Sequence, residues 1–398
     1  MKHSSTELNT DQSVKFLHTS DFQIGMHRRF LGGDAGARFE ESRLTAIERL
    51  GELAESEGCA FIVVAGDVFN DNSLEHRTLD RALETMQSLP VPLYLLPGNH
   101  DPLVADSIFF RARDHSNIHV IDSAEPQVVA EGVELVGAPF LVKNPDHDLV
   151  SAALEDLQPT NSIRVLVGHG QVESRGDDIK PDLIDLDRVE AALASGVIDY
   201  LALGDTHSTA SLGNTGKVWF SGAPETTDFH KLADWGFPAD GGEVDSGNVL
   251  VVSISKPTTN PVMQAVVDVD KHAIGQWQFH ALRPELDDAA SVDGFVNYLR
   301  SYENKRRMVV KYFLRGALSL TDTMRLEREL AELRPSFGAL YESQSSPGLN
   351  LQPEAGELEN LEVRGYARAA LEELLNAAEN DGTARDALQL LFKIMKEN

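Results

Sequence analysis

The sequence contains a single cysteine, Cys59, among its 398 residues. An intrachain disulfide is therefore excluded. The low cysteine content predicts a cytoplasmic protein, because the cytoplasm keeps thiols reduced. Positive charge is also scarce, since 35 lysines and arginines stand against 63 acidic residues and leave a formal net charge of −28. Such a chain repels nucleic acid and anionic membranes, so a phosphate-bearing substrate needs a local source of positive charge, such as metal ions.

Long apolar runs are missing as well. No stretch of about 18 apolar residues occurs, so the sequence predicts no transmembrane helix and no membrane partner. The first residues are polar and lack the apolar segment of a signal peptide, which predicts a flexible tail over residues 1–13. The overall composition, 42% hydrophobic and 25% charged, is that of an ordinary globular protein. The chain is long enough for two or three domains.

Apolar strands alternate with amphipathic helices over residues 14–210. Leu44, Ile47 and Leu50 recur at helical spacing in the first predicted helix, and Gly58 suits its end. This alternation predicts an α/β core with a largely parallel sheet. The predicted core strands are 15–20, 61–66, 93–97, 163–168 and 200–204.

The rest of the chain divides into further parts. Strand after strand is predicted over 118–137 and 217–281, which could form a second sheet packed on the first. Residues 233–248 are rich in glycine and aspartate and are predicted to form a surface loop. The predicted boundaries are 1–13 for the tail, 14–281 for the core domain, 282–345 for a small α+β domain, and 346–398 for a linker and C-terminal helices.

Each of the five core strands ends in a polar cluster. Aspartate or asparagine after a strand is usually a turn residue, and a lone histidine is usually a core residue. Five such clusters are harder to explain in that way, because ligands of open α/β sheets bind beyond the carboxyl ends of the strands. Their oxygen and imidazole groups suit hard or borderline divalent metals. The clusters are 21–23, 66–70, 98–101, 168–170 and 204–207.

The five clusters resemble the motif series of the calcineurin-like metallophosphoesterases, D-x-H, G-D-x-x, G-N-H-D/E, G-H and G-x-H. The stretch PGNHD, residues 97–101, is the most specific of them. Similarity to sequences of the DNA-repair nuclease branch, of the SbcD or YhaO type, is found in three segments, FLHTSDFQIG, VVAGDVFNDN and YLALGDTHS. The resemblance implies a sandwich of two mixed β-sheets flanked by helices over 14–281, a substrate-capping domain over 282–345, and terminal helices that dock a partner ATPase.

The same resemblance implies a ligand set for two divalent metal ions. Two ions about 3.5–4 Å apart can clamp a phosphodiester and activate a water for in-line attack. The implied ligands are Asp67 as the bridge, then Asp21, Gln23 and His207 for the first ion, and Asn99, His169 and Asp205 for the second.

Further roles follow for residues near these ligands. His100 would face the phosphate and stabilise its charge or protonate the departing oxygen. Asp101 could orient His100, or it could simply cap the chain before Pro102. Arg28 and Arg29 follow the first ligand strand, where they could contact DNA phosphates or form part of a solvated face.

Two positions depart from the family pattern. Gln23 stands where D-x-H has its histidine, and Asp205 stands where the usual G-H-x-H has its first histidine. Both changes replace nitrogen with oxygen, which favours harder ions and predicts Mn²⁺, or alternatively Mg²⁺, over Zn²⁺. The changes could instead mean a weakened first site or a nuclease that has lost activity.

Three classes of function therefore remain open. The first is a DNA nuclease subunit that works as a homodimer with an SMC-like ATPase of the SbcC or YhaN type. The second is a small-molecule phosphodiesterase or phosphatase. The third is a catalytically weakened structural subunit of a nuclease complex. The excess of acidic residues predicts weak DNA binding by this chain alone, with a partner supplying most of the positive surface.

Overall fold

The computed structural model divides the chain into two compact units. The first runs to Phe229 and continues over Gly242–Trp277, and the second begins at Gln278. Among the residues described, no helix combines the length and the apolar character needed to cross a membrane. The structure describes residues 11–172, 181–229, 242–257, 260, 263–343, 346, 348–352, 366–378, 381, 383–384 and 387.

The first unit contains two six-stranded sheets and the helices that cover them. Its helices are α1 (Gly33–Glu57), α2 (His76–Gln87), α3 (Phe109–Ala112), α4 (Leu149–Leu154) and α5 (Leu186–Ala194). Its strands are β1 (Asp11–Thr19), β2 (Ile62–Val64), β3 (Leu93–Leu95), β4 (Ile118–Val120), β5 (Gln127–Ala130), β6 (Val133–Gly137), β7 (Ile163–His169), β8 (Tyr200–Gly204), β9 (Ala210–Leu212), β10 (Val218–Phe220), β11 (Asn248–Pro257) and β12 (Val266–Ala273).

Both sheets mix parallel and antiparallel pairs. The first sheet has the order β12-β11-β1-β2-β3-β4, and the second has the order β5-β6-β7-β8-β10-β9. Strands β1 to β4 run parallel, whereas β11 and β12 are antiparallel additions at one edge. The predicted fold class, a sandwich of two mixed sheets flanked by helices, is confirmed.

The apolar side chains of β1 show how the layers form. Successive side chains of a strand point to opposite faces. Phe16 accordingly belongs to the core between the two sheets, where it stacks on Phe61 at a centroid distance of 5.0 Å. Leu17 belongs to a second core, which packs the first sheet against Ile47 of α1 and Leu83 of α2. A third core packs the second sheet against α4 and α5.

The five predicted core strands are all present, but they do not form one sheet. Strands β1 to β3 lie in the first sheet, whereas β7 and β8 lie in the second. Continuous apolar runs identify strands that are buried on both faces, but they do not say which strands pair. The first strand begins at Asp11, so residues 11–13 belong to β1 rather than to the predicted tail. Residues 1–10 lie outside the described residues.

The second unit alternates strands and helices. Its strands pair in parallel in the orders β13-β15-β17 and β14-β16-β18. The strand predicted at the end of the core domain is β13, which pairs with β15 and therefore belongs to this unit. Most of the last predicted helix lies outside the described residues. The elements are β13 (Gln278–Leu282), β14 (Glu285–Leu286), α6 (Ala289–Ser301), β15 (Met308–Tyr312), β16 (Arg315–Leu318), α7 (Leu320–Leu333), β17 (Ala339–Glu342), β18 (Asn350–Leu351) and α8 (Tyr366–Ala378).

Candidate metal centre

The predicted ligands follow strands of both sheets, and their side chains meet at one edge of the sandwich. Asp21, Asp67 and His169 are buried, and one ligand atom from each lies within 4.8 Å of the others.

Left-handed backbone is costly for a residue with a side chain and persists only where the surroundings enforce it. Four of the predicted ligands nevertheless have positive φ angles, namely Asp21 (55°), Gln23 (49°), Asp67 (53°) and Asp205 (96°).

The loop after β1 is held against the loop after β2. The backbone N–H of Asp21 donates to the backbone carbonyl of Gly66, and the backbone N–H of Gln23 donates to the backbone carbonyl of Asp67, both at 3.0 Å. The Ser20 hydroxyl donates to Asp21 Oδ2 at 2.5 Å. These bonds continue the β1–β2 pairing past the strand ends and turn both side chains toward the centre.

Asp67 lies between the two halves of the predicted ligand set. Its Oδ1 accepts the backbone N–H of His100 at 3.0 Å and lies 3.4 Å from Nε2 of His169. Its Oδ2 accepts the side-chain amide of Gln23 at 2.8 Å. One carboxylate oxygen therefore faces each half, which is the arrangement expected of a bridging ligand.

The imidazole of His169 gives the clearest indication of a cation. Its Nδ1 lies 2.8 Å from the Ala65 carbonyl, which can only accept, so Nδ1 carries the proton. Its Nε2 faces three oxygens, Asn99 Oδ1 at 2.9 Å, Asp67 Oδ1 at 3.4 Å and Asp205 Oδ1 at 4.0 Å. These oxygens attract positive charge, which is either a proton on Nε2 or, once Nε2 is deprotonated, a metal ion among the four atoms. The donor set therefore fits a divalent metal ion.

Buried oxygens without partners lead to the same conclusion. Asp21 Oδ1, Gln23 Oε1 and Asp205 Oδ2 are buried and have no hydrogen-bond partner in the described part of the chain. A buried acceptor without a partner is costly, especially on a carboxylate. Metal coordination would satisfy all three atoms, so these residues fit the implied ions.

His207 is held by two residues that the sequence did not indicate. Its Nδ1 lies 2.5 Å from Thr227 Oγ1 and 3.3 Å from Glu243 Oε1, which leaves Nε2 at 3.7 Å from Asp21 Oδ1. A carboxylate or hydroxyl behind an imidazole fixes its orientation for metal binding. Residues 233–248 were predicted to be a surface loop, but Glu243 is only 2% exposed, so that prediction is wrong at this residue. Residues 233–241 lie outside the described residues.

The charges of the cluster shift its pKa values together. Burial opposes charge on His169, but Asp67 raises the pKa of His169 well above its usual value. The pKa of His207 is also raised, because Glu243 and Asp21 outweigh its burial. Burial raises the pKa of Asp21, whereas the pKa of Asp67 is lowered overall, because His169 and His100 together outweigh its burial. The site is therefore a focus of negative potential that attracts cations.

His100 lies at the exposed mouth of this centre. Its side chain is 48% exposed, and Nε2 is 3.9 Å from Asp67 Oδ2. Its Nδ1 lies 3.1 Å from the carbonyl of Asn70, so Nδ1 donates and Nε2 is turned toward the centre. This position suits contact with a bound phosphate, as the sequence predicts.

Two roles were left open for Asp101, and its hydrogen bonds exclude the first of them, the orientation of His100. Its Oδ2 accepts the Phe69 N–H and its Oδ1 accepts the Gly98 N–H, both at 2.8 Å. Burial and the nearby charge of Asp67 raise the pKa of Asp101 to about 8. The prediction that Asp101 orients His100 is wrong, because the carbonyl of Asn70 makes that contact. Asp101 instead ties together the loops that carry Asp67 and Asn99.

The two predicted substrate-binding arginines differ in position. Arg28 is half-buried, and its Nη2 donates to the carbonyl of Thr227, next to the residues that support His207. Arg29 is exposed. Contact between these arginines and a substrate stays a prediction.

A methyl group at Gly98 is expected to disrupt the centre. A Cβ at this position would lie 2.3 Å from Asp67 Oδ1 and 2.5 Å from the Asp67 amide nitrogen. We expect Gly98→Ala to lower the free energy of unfolding by about 1–3 kcal/mol, the usual cost of overpacking, and to weaken Mn²⁺ binding. Chemical denaturation and Mn²⁺ titration measure both effects. Gly32→Ala, where a Cβ meets no atom within 4 Å, is the control. A Gly98→Ala variant with the stability and Mn²⁺ affinity of the wild type would contradict the described packing.

This chain is similar to several known proteins. One curated relative is the DNA double-strand break repair protein Mre11 of Archaeoglobus fulgidus, which is 27% identical over 113 residues. The match covers 28% of this chain and 23% of the relative, so the chain spans about a quarter of the relative's length.

Two solved structures are similar to this chain at low identity. TT1561 of Thermus thermophilus has a TM-score of 0.38 and 10% identity, covering 66% of this chain and 99% of that one. A dimetal phosphatase from Danio rerio has a TM-score of 0.35 and 9% identity, covering 64% of this chain and 98% of that one.

A family model also matches part of this chain. The family model for calcineurin-like phosphoesterases covers residues 14–209, a range that contains every predicted metal ligand. The resemblance read from the strand-end motifs is thereby confirmed, because residues 14–209 of this chain match the calcineurin-like phosphoesterases.

Proposed function

We propose that this chain is a metal-dependent phosphodiesterase that cleaves DNA as the nuclease subunit of a repair complex. The observation that carries the enzymatic part is the convergence of Asn99, Asp67 and Asp205 oxygens on Nε2 of His169. A divalent ion would be held by these atoms, and the set lies directly beside the exposed imidazole of His100.

The residues divide into two ion positions that share Asp67. Asp21, Gln23 and His207 would hold one ion, and Asn99, His169 and Asp205 would hold the other. Two bound divalent ions would neutralise a phosphodiester and lower the pKa of an attacking water. The oxygen-rich set favours Mn²⁺ or Mg²⁺ over softer ions.

His100 contributes chemistry of its own in this proposal. The Asn70 carbonyl holds the Nδ1 proton, so Nε2 is the atom that gains or loses a proton at the mouth of the centre. A protonated Nε2 stabilises negative charge on a phosphoryl oxygen or donates its proton to the departing oxygen. Its exposure allows a polymer as well as a small ester to reach it.

Similarity to the archaeal Mre11 protein supports DNA as the substrate. That relative is a DNA double-strand break repair protein, and 113 residues of it match this chain. The motif sequences resemble those of DNA-repair nucleases, which supports the same assignment. This resemblance also supports an SMC-like ATPase partner and a homodimeric state. The net charge of −28 favours a partner that supplies positive surface for DNA.

The same net charge favours a second candidate, a small-molecule phosphodiesterase. A small ester needs no basic surface beyond the ions themselves, and of the two predicted phosphate contacts, Arg28 already donates to the Thr227 carbonyl. The core unit also holds all predicted ligands without the residues that follow Trp277.

A pair of substrates distinguishes these candidates. The full chain is incubated at low salt with Mn²⁺ and either linear duplex DNA or bis-p-nitrophenyl phosphate, because low salt strengthens DNA contacts. We expect cleavage of both substrates and loss of both activities with excess EDTA. Cleavage of the small ester alone would favour the second candidate. Absence of turnover in a chain that binds Mn²⁺ would contradict the enzymatic proposal.

A further inference from the structure

One side chain in the loop after β2, the amide of Asn72, has no role in the proposed mechanism. We infer that Asn72 is a positioning residue for His100, because it ties the loop that carries this imidazole to the loop that holds it. The inference rests on the proposed function, in which His100 acts on the bound phosphate. It adds the residue that keeps His100 in its reactive orientation.

The orientation of His100 depends on one carbonyl group. Its side chain is 48% exposed, and among the described residues its ring makes one hydrogen bond, from Nδ1 to the carbonyl of Asn70 at 3.1 Å. That bond keeps a proton on Nδ1 and turns Nε2 toward Asp67 Oδ2, at 3.9 Å. An exposed ring without this bond is free to change its rotamer. The position of Nε2 therefore follows the position of the Asn70 carbonyl.

The direction of the Asn70 carbonyl depends on the chain on both sides of it, because it belongs to the planar peptide group between residues 70 and 71. On one side, the Asn70 N–H donates to the carbonyl of Ile24 at 2.9 Å. On the other side, Asp71 Oδ1 accepts the N–H and the hydroxyl of Ser73, each at 2.7 Å. An aspartate that accepts the N–H two residues later forms a tight turn. Asn72 lies in the middle of this turn.

Asn72 uses both ends of its amide on the loop after β3. Its Nδ2 donates to the carbonyl of Pro102 at 2.9 Å, and its Oδ1 accepts the N–H of Ile108 at 3.2 Å. Pro102 lies two residues after His100. The two loops therefore form a closed ring, in which Asn72 holds the backbone beyond His100 and the Asn70 carbonyl holds the imidazole. Loss of the Asn72 amide opens this ring.

Asp101 also joins the two loops, but it does so beside the metal ligands. Its carboxylate accepts the N–H groups of Phe69 and Gly98, which lie within two residues of predicted ligands. These bonds do not involve Asn72, so we expect the ligands to keep their places when the Asn72 amide is removed. The imidazole of His100 is then expected to lose its fixed orientation.

A double-mutant cycle tests this role in the full chain, with Mn²⁺ and bis-p-nitrophenyl phosphate. Because a misplacement of about 1 Å can cost about 10²-fold in rate, we expect Asn72→Ala to lower kcat about 10–100-fold and to leave the number of bound ions unchanged. In the His100→Ala background the same change is expected to have almost no further effect, since the imidazole that it positions is absent. An equal loss in both backgrounds would show a general effect on the fold and would overturn the inference, as would wild-type kcat in Asn72→Ala.

The tautomer of His100 reports the same role without any turnover. Nitrogen chemical shifts in NMR spectra of the full chain distinguish Nδ1–H from Nε2–H at a pH where the ring is neutral. Spectra are recorded with Mg²⁺, because Mn²⁺ broadens the signals, and comparison with His100→Ala identifies the His100 ring. We expect Nδ1–H in the wild type and a shift in Asn72→Ala toward Nε2–H, the form that a free imidazole prefers. An unchanged tautomer would overturn the inference.

Asn117→Ala is the matched control for the loss of a loop-bridging amide. Asn117 is half-buried like Asn72, and its Nδ2 donates to the carbonyls of Leu89 and Val91, at 3.0 Å and 3.1 Å. It precedes β4, at the edge of the first sheet opposite the ligands. Its removal is expected to lower the stability of the fold and to leave both kcat and the His100 tautomer unchanged.

The two measurements separate failure of this inference from failure of the proposed function. A wild-type chain without turnover would overturn the proposed function, and the tautomer would still decide whether Asn72 positions His100. If Asn72→Ala does not fold, Asn72→Asp replaces it in both measurements. That variant keeps the acceptor for the Ile108 N–H and lacks the donor to the Pro102 carbonyl.

Discussion

Asparagine in place of Asp67 is expected to reduce phosphodiester turnover by about a thousandfold or more. Asp67 is the residue that faces both halves, through Oδ1 toward His169 and Oδ2 toward Gln23. Loss of its charge removes a ligand from each position. Metal ions supply several kcal/mol of charge stabilisation in such reactions, and each 1.36 kcal/mol of barrier corresponds to tenfold in rate.

The measurement is steady-state turnover of bis-p-nitrophenyl phosphate with Mn²⁺, together with the number of ions bound. Asp268→Asn makes the same chemical change at an exposed position of β12 and is expected to retain wild-type turnover. Retention of more than about a tenth of the activity in Asp67→Asn would mean that Asp67 does not bridge the ions. Circular dichroism of the variant excludes a failure to fold as the cause.

Alanine in place of His100 is expected to lower turnover by about 10²–10⁴-fold, the usual contribution of a positioned acid or base. Unlike Asp67→Asn, this change is expected to leave both ions bound. The reason is that His100 lies at the mouth of the centre, with Nε2 at 3.9 Å from Asp67 Oδ2 and nearly half of its side chain exposed. Turnover and Mn²⁺ content, measured on the same preparation, separate the two roles.

His147→Ala is the matched control for this prediction. His147 is exposed and pairs only with the neighbouring Asp146 among the described contacts, at 2.7 Å, so its removal is expected to leave turnover unchanged. Loss of bound Mn²⁺ in His100→Ala would show that His100 supports the ions rather than the substrate. Full activity in His100→Ala would exclude it from the reaction.

The strands that carry the site could be predicted because each is an apolar run that ends in glycine or a polar residue. β7 and β8 match their predicted ranges to within one residue, and the polar clusters after them meet as expected. The division of the core strands between two sheets could not be predicted, because strands buried on both faces carry no alternation that would identify their neighbours.

The support of the ligands was harder to predict than the ligands themselves. Glu243 lies 36 residues after His207 in a segment whose glycine and aspartate content indicated a surface loop. Its burial depends on contacts with Thr227, which only the folded chain brings together. The role of Asp101 stayed open for a related reason, since the sequence does not show that its hydrogen bonds go to the backbone amides of Phe69 and Gly98 rather than to His100.

Gln23 shows what the structure adds to a sequence departure. The sequence indicated that an amide replaces the expected histidine, but not which way that amide points. The structure turns its nitrogen toward Asp67 and leaves its oxygen buried without a partner among the described residues. The amide thus remains a donor for an ion, in a weaker form.

The central claim is that the strand-end cluster holds two ions that share Asp67. Anomalous diffraction at the manganese absorption edge, from crystals grown with Mn²⁺, tests it most directly. We predict two peaks that both contact Asp67, one beside Gln23 and His207 and the other beside Asn99 and His169. No peak at Asp67, or a single peak at saturating Mn²⁺ that leaves Asp21 and Gln23 uncoordinated, would contradict a two-metal phosphodiesterase.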